Sequence, residues 1–204
     1  MEKEIYIIRH GETALNAAGI VQGRGINSDL NDVGRMQGAS FYQHYKHVEF
    51  DKLYTSTLKR THQTVSGFIE AGLAWEQLSG LDELAWGEWE GQSATEHSRA
   101  VFRDMVEQWQ SGNYDAKFKS GESPAEVQTR LQEAMDYICS KPDEERILIC
   151  MHGRAMRLLF CILTGKPLSN MVDFPHLNTT LYRFRYVNGK FEILDFNNTD
   201  HLKY

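Results

Sequence analysis

Two stretches of this 204-residue chain place a histidine and then a glycine directly after an apolar run: Ile5-Tyr6-Ile7-Ile8-Arg9-His10-Gly11 and Ile147-Leu148-Ile149-Cys150-Met151-His152-Gly153. A neutral imidazole is a competent nucleophile toward phosphorus, and its ordinary pKa of about 6.5 falls further beside a positive charge. Arg9, next to His10, supplies one. Guanidinium forks grip the non-bridging oxygens of a phosphoryl group, and a carboxyl of raised pKa can protonate a leaving oxygen. In an open α/β sheet, ligands bind beyond the carboxyl ends of the strands. Histidines and arginines converging there make a site for a tetrahedral oxyanion. The blander alternative is two histidines that merely cap buried strands.

Such a site needs a scaffold, and the pattern supplies one. Residues 5–8 and Arg146–Met151 read as buried strands and residues 52–55 as a short one. Residues 31–47 and 58–70 read as helices, the second with Leu58, Val65, Phe68 and Ile69 on one side. Ser93 and Ser123 are each followed three residues later by Glu, the spacing of a capping box, and Pro124 fits a first helical position. Val127, Leu131, Ala134 and Ile138 recur at helical period, and residues 154–163 form a helix ending near Gly165. Asn188-Gly189, between residues 180–187 and 191–196, is a strong hairpin signal. The expectation is an α/β fold: a mostly parallel sheet covered by helices on both faces, with a C-terminal β-hairpin. It forms a single domain over residues 1–204, with a helical, aromatic, lid-like insertion at about 92–118.

Composition narrows the function classes. Hydrophobic residues are 41% and charged residues 25%, which excludes a disordered or fibrous chain. With 22 Lys+Arg against 28 Asp+Glu the formal charge is −6, and no long basic run offsets it. Neither nucleic acid nor an anionic membrane is expected as a partner, and an anionic substrate needs a locally positive pocket. No stretch approaches the roughly 20 apolar residues of a membrane span, and the first apolar run is too short for a signal peptide, so a cytoplasmic location is expected. Cys139, Cys150 and Cys161 match no zinc or redox spacing and read as buried free thiols. His44 and His47 lack a third ligand, residues 195–199 lack the Gly and Glu of a calcium loop, and Gly23-Arg24-Gly25 completes no nucleotide motif. No metal site is expected.

Five ordered motifs carry a family resemblance. Arg9-His10-Gly11-Glu12-Thr13 with Asn16 resembles the signature of the histidine phosphatase superfamily, in its phosphoglycerate-mutase-like branch. Gln22-Gly23, followed by Asn27-Ser28-Asp29-Leu30-Asn31 and Gly34, resembles the family's loop and next helix start. Residues 54–64, with Arg60, resemble its second motif. Leu81-Asp82-Glu83 with Trp86-Gly87-Glu88-Trp89-Glu90-Gly91 resembles the segment holding the acid, and Cys150-Met151-His152-Gly153 the segment holding the second histidine.

The resemblance implies a mechanism. His10 would attack phosphorus and become a phosphohistidine. Arg9, Asn16, Arg60 and His152 would hold the phosphoryl oxygens. Glu83 would protonate the leaving group and then activate water, with Glu88 and Glu90 as rival acids. No cofactor or metal is implied, since two guanidiniums and two imidazoles supply the positive field. Gln22, Gly23, Gly153 and Arg154 are candidate substrate contacts, and of Arg24, Arg99, Arg103 and Arg154 the last is best placed to read a second negative group. The family's mutases are longer and carry a paired-arginine motif; this chain has no Arg-Arg pair, and the segment after Glu83 looks more like the phosphatase group. The expected activity is metal-independent hydrolysis of a small phosphorylated metabolite. The alternatives are a cofactor-dependent phosphoglycerate mutase and a non-catalytic phospho-ligand-binding module.

Overall fold

In the computed structural model, which describes residues 2–203, the order is β1 (Glu2–Arg9), α1 (Ala14–Ala17), α2 (Asp32–Tyr45), β2 (Lys52–Thr55), α3 (Lys59–Thr64), α4 (Ser66–Glu70) and β3 (Trp75–Gln77). There follow α5 (Glu96–Gln110), α6 (Pro124–Cys139), β4 (Arg146–Met151), α7 (Gly153–Thr164), β5 (Leu181–Val187) and β6 (Lys190–Asn198). The six strands form one sheet in the order β3-β2-β4-β1-β5-β6. The first four in that order are parallel, and β5 runs antiparallel to β1 and β6.

Alternation of apolar side chains gives the sheet two buried faces. Ile5, Ile7, Ile147, Ile149 and Met151 join Leu131 and Ile138 of α6 and Leu158 and Leu159 of α7 in one core. Tyr6, Ile8, Leu148 and Cys150 join Phe41, Val65 and Phe68 in the other. Full burial of one large aliphatic side chain contributes roughly 1.5–3 kcal/mol, so β1 and β4 sit in the most strongly stabilised part of the molecule. Their register places Arg9 opposite Met151, and that of β2 places Thr55 opposite Cys150. Ser56, His152 and His10 therefore leave three adjacent parallel strands side by side.

The capping box Ser123–Glu126 with Pro124 forms as expected, Asn31 caps α2, and α7 ends at Gly165 with φ +67°. The turn is the predicted one, with Asn188 at φ +48° and Gly189 at φ +85°. Two expectations are corrected. The helix expected over 58–70 is two, broken at Val65. Thr64, which ends α3, accepts from the Gly11 N–H at 2.8 Å and packs its carbonyl on Gly38 of α2, where an added Cβ would lie 2.5 Å away. Helix α5 starts at Thr95 rather than Ser93, because Thr95 and Ser98 make the reciprocal cap. The edge strand β3, only three residues long, gave no periodic signal.

The insertion buries Met105 and Trp109 in the same core as α6 and α7, and Trp109 Nε1–H donates to the Ala116 carbonyl at 2.8 Å. Trp86, Trp89, Phe102 and Phe118 pack ring to ring beside it. The three cysteines are buried and free. Among the described residues no helix is long and apolar enough to cross a membrane, and no group of ligating side chains is placed to hold a metal ion.

Candidate active site

His10 is held at the end of β1 by its own backbone, whose N–H donates to the Met151 carbonyl at 3.0 Å. Its Nδ1 lies 2.7 Å from the Gly11 carbonyl, an obligate acceptor, so Nδ1 carries the proton and Nε2 presents a lone pair. The ring is 2% exposed. Burial first, then the positive charges of Arg60 and Arg9, push its pKa well below the usual histidine value, so the ring is neutral at physiological pH. The approach of the next loop depends on small residues: a Cβ on Gly11 would sit 2.5 Å from the Gly34 carbonyl.

His152 stands with its ring centroid 5.2 Å from that of His10. Arg60 Nε–H donates to its Nδ1 at 3.2 Å, and its Nε2 lies 2.7 Å from Ser56 Oγ. Accepting at Nδ1 leaves Nε2 as the donor, and Ser56 Oγ can pass its own proton toward Thr61 Oγ1 at 3.1 Å. Both nitrogens of His152 are thus engaged, and the ring orients Arg60. Arg60 is fully buried and donates further to the carbonyls of Ile26 (2.7 Å) and Gly23 (3.3 Å). Burial lowers its pKa to about 10, which leaves it charged at neutral pH.

Arg9 donates from Nη1 to His176 Nδ1 at 3.2 Å, while its buried Nε has no partner. A buried guanidinium N–H without an acceptor is costly, and an arriving phosphoryl oxygen would relieve it. Asn16 accepts on Oδ1 from the Thr13 N–H and from Asn178 Nδ2, both at 3.3 Å, which turns its own amide N–H groups away from these partners. Asn178 also donates to the His10 carbonyl at 3.0 Å.

Glu83 is 7% exposed. Its Oε1 accepts from the N–H groups of Leu84 (2.9 Å) and Ala155 (2.8 Å), and its Oε2 from Arg154 N–H (3.1 Å), so the carboxylate docks on the first turn of α7. Arg130 of α6 clamps the backbone beneath it, donating to the carbonyls of Gly80, Asp82 and Glu83 at 2.8–3.1 Å. The rival Glu88 is exposed. Glu90 accepts from the Trp86 N–H at 2.9 Å and fills the space over Gly23 and Gly25, where a Cβ would lie 2.3 and 2.8 Å from its oxygens.

The structure thus brings His10, His152, Arg9, Arg60, Asn16 and Glu83 to one end of the sheet. Gln22 is a brace: its amide donates to Thr13 Oγ1 and accepts from Ser28 Oγ, each at 2.6 Å. Gly23 lends its carbonyl to Arg60. Gly153 makes room for the His176 ring, which a Cβ would meet at 2.6 Å. The Arg154 guanidinium lies 5.6 and 5.7 Å from the rings of Trp86 and Trp109. Arg24 is spent on Asp82 at 3.1 Å, and Arg99 and Arg103 are exposed. Sequence reasoning missed His176, Asn178, Arg157 and Arg130. His176 and Asn178 sit in the stretch between α7 and β5, which has no period, and only Arg157, three residues after Arg154 on α7, could have been found by helical spacing. Burial, Arg9, Arg157 and Arg154 together push His176 down to about 2.

Comparisons with known proteins give the chain a family. The family described as histidine phosphatase superfamily (branch 1) matches residues 5–199. A curated relative from Hydrogenobacter thermophilus, phosphoserine phosphatase 1, is 26% identical over 98% of this chain and 94% of its own. Another from Yersinia pestis, probable phosphoglycerate mutase GpmB, is 31% identical over 80% of this chain and 76% of its own. The crystal structure of a phosphoserine phosphatase from Entamoeba histolytica in complex with 3-phosphoglyceric acid superposes with a TM-score of 0.85, at 25% identity over 98% of this chain and 99% of that one.

Proposed function

The chain belongs to the histidine phosphatase superfamily, branch 1, and on that premise we propose that it hydrolyses phosphate monoesters of small metabolites through a phosphohistidine on His10. The observation that carries this reading is the buried, neutral His10 with its free Nε2 among guanidiniums. Nε2 attacks phosphorus as the ester P–O bond breaks. Glu83 gives a proton to the leaving oxygen, then takes one from the water that displaces Nε2 and releases inorganic phosphate. Arg9, Arg60 and Asn16 hold the three non-bridging oxygens, over which the charge of the transferring group is spread in both displacements. His152 keeps Arg60 in place. These residues supply the positive field themselves, so no metal or cofactor is assigned to the reaction. Hydrolysis is preferred over phosphoglycerate mutase activity on the sequence after Glu83 and the lack of an Arg-Arg pair; the 31% identity to a probable mutase keeps that second reading in the test.

The experiment is p-nitrophenyl phosphate hydrolysis in excess chelator, with wild type and His10→Ala, alongside 3-phosphoglycerate with and without a 2,3-bisphosphate primer. Metal-independent turnover by wild type and loss of at least about 10³-fold in His10→Ala support the proposal. Activity retained in His10→Ala overturns the phosphohistidine, and primed exchange without phosphate release moves the chain to the mutases.

A further inference from the structure

Four guanidiniums share this end of the sheet. Arg9, Arg60, Arg154 and Arg157 affect one another's ionisation or that of the histidines between them, and none takes part in an ion pair among those formed by the described residues. Glu83 is the carboxylate whose charge reaches Arg9, Arg60 and Arg154. In a protein of formal charge −6 this is a local surplus. A monoester dianion settling between Arg9 and Arg60 would leave the Arg154 guanidinium, which is in no ion pair among the described residues, without an anionic partner. Arg157 is spoken for, since its Nε–H donates to the Phe174 carbonyl at 2.9 Å.

Arg154 is different. Its backbone N–H holds Glu83, so the residue is fixed beside the proposed acid and hence beside the leaving group. Its guanidinium is walled by the rings of Trp86 and Trp109, and its side chain's hydrogen-bond acceptor is the Met171 sulfur at 3.3 Å, a weak one. A guanidinium has five N–H donors in a planar fork that matches a carboxylate. Here the fork lies between aromatic walls with one poor partner, and the residue keeps partial contact with solvent.

Resting on the phosphatase reading, we propose that Arg154 selects the substrate class: phosphate monoesters whose leaving group bears a carboxylate close to the ester oxygen, gripped by the Arg154 fork as the phosphoryl group settles between Arg9 and Arg60. A carboxylate, planar and able to accept from two N–H groups at once, matches the fork held between the two rings.

The test compares two substrate pairs that differ at the carboxylate, 3-phosphoglycerate against glycerol 3-phosphate and O-phosphoserine against O-phosphoethanolamine, with p-nitrophenyl phosphate as the common reference. Wild type is expected to favour the carboxylate member of each pair in kcat/KM by about 10- to 100-fold, the range of one charge-assisted bidentate contact. Arg154→Gln should bring both ratios to within about threefold of unity, chiefly through KM, and Arg154→Lys should restore part of the preference. Wild type that does not discriminate overturns the proposal while leaving the phosphatase reading intact. So does an Arg154→Gln that loses activity equally on both members, which would mark Arg154 as part of the phosphoryl site or the fold. Wild type inactive on all five esters would sink both readings.

Discussion

Acid should unfold this protein at an unusually high pH, and three of the four histidines responsible stand at the candidate active site. His10 and His152 have pKa values held well below the free value by burial and by guanidiniums, His176 is pushed to about 2 by burial, Arg9, Arg157 and Arg154, and His201 to about 4 by burial and His44. All four titrate at about 6.5 in the unfolded chain. Depressed folded values mean that the unfolded state binds the extra protons, so stability is full above pH 6.5 and is lost as pH falls toward the folded values. For a histidine that stays neutral in the fold, the loss at pH 5 is about 2 kcal/mol, and four give roughly 8 kcal/mol. A domain of this size has about 5–15 kcal/mol in total. Carboxylates with ordinary values near 4 contribute little in that window. The assay is urea unfolding followed by tryptophan fluorescence at pH 7.5, 6 and 5. Wild type should lose about 5 kcal/mol per pH unit near pH 5.5, the linkage of nearly four protons. His176→Asn should remove about a quarter of the pH-dependent part. A total loss below about 4 kcal/mol between pH 7.5 and 5 would show that fewer than two of these histidines stay neutral, and the description of His10 and His152 as a pair of buried neutral imidazoles would be wrong.

Two further outcomes follow from the geometry. Glu83→Gln should lose at most about tenfold on p-nitrophenyl phosphate, whose leaving group needs little protonation, but about 10²–10⁴-fold on an alkyl phosphate; equal losses on both would remove Glu83 from the acid role. Its new amide NH₂ would face the Arg154 N–H or the Ala155 N–H, so a stability cost of about 1–3 kcal/mol should accompany the change in thermal unfolding. Gly153→Ala should displace the His176 ring and with it the Arg9 contact, giving a drop in kcat/KM on the order of tenfold and about 1–3 kcal/mol of destabilisation; a variant with wild-type kinetics would mean that His176 does not steady Arg9.

What could be read from the sequence is what has a period or a fixed local chemistry. β1 and β4 are continuous apolar runs, α6 has its cap and its stripe, and Asn188-Gly189 can serve few purposes but a tight turn. The two histidines were legible because they follow those runs, and strand ends are where an α/β sheet binds ligands. The break at Val65 was not: it sits where Thr64 packs its carbonyl on Gly38 of another helix, a contact that no local pattern carries. His176 and Asn178 were invisible for a related reason: a segment without periodicity places side chains by what it crosses, and this one crosses the ends of β1 and α7. The roles of Gln22 and Gly23 also needed coordinates, since a brace and a ligand contact look alike in one dimension.

The first turn of α7 holds more of the site than any other segment. His152 caps it, Gly153 seats His176, the Arg154 and Ala155 amides hold Glu83, and Arg157 holds the carbonyl of Phe174. His152, Glu83 and Arg154 are therefore tied to one piece of backbone and cannot drift separately. Their energies are coupled rather than additive, so the cost of double substitutions across this turn will depart from the sum of their parts. A substitution at Arg154 must leave the peptide plane beneath it where it stands, because the Glu83 carboxylate hangs from the same plane.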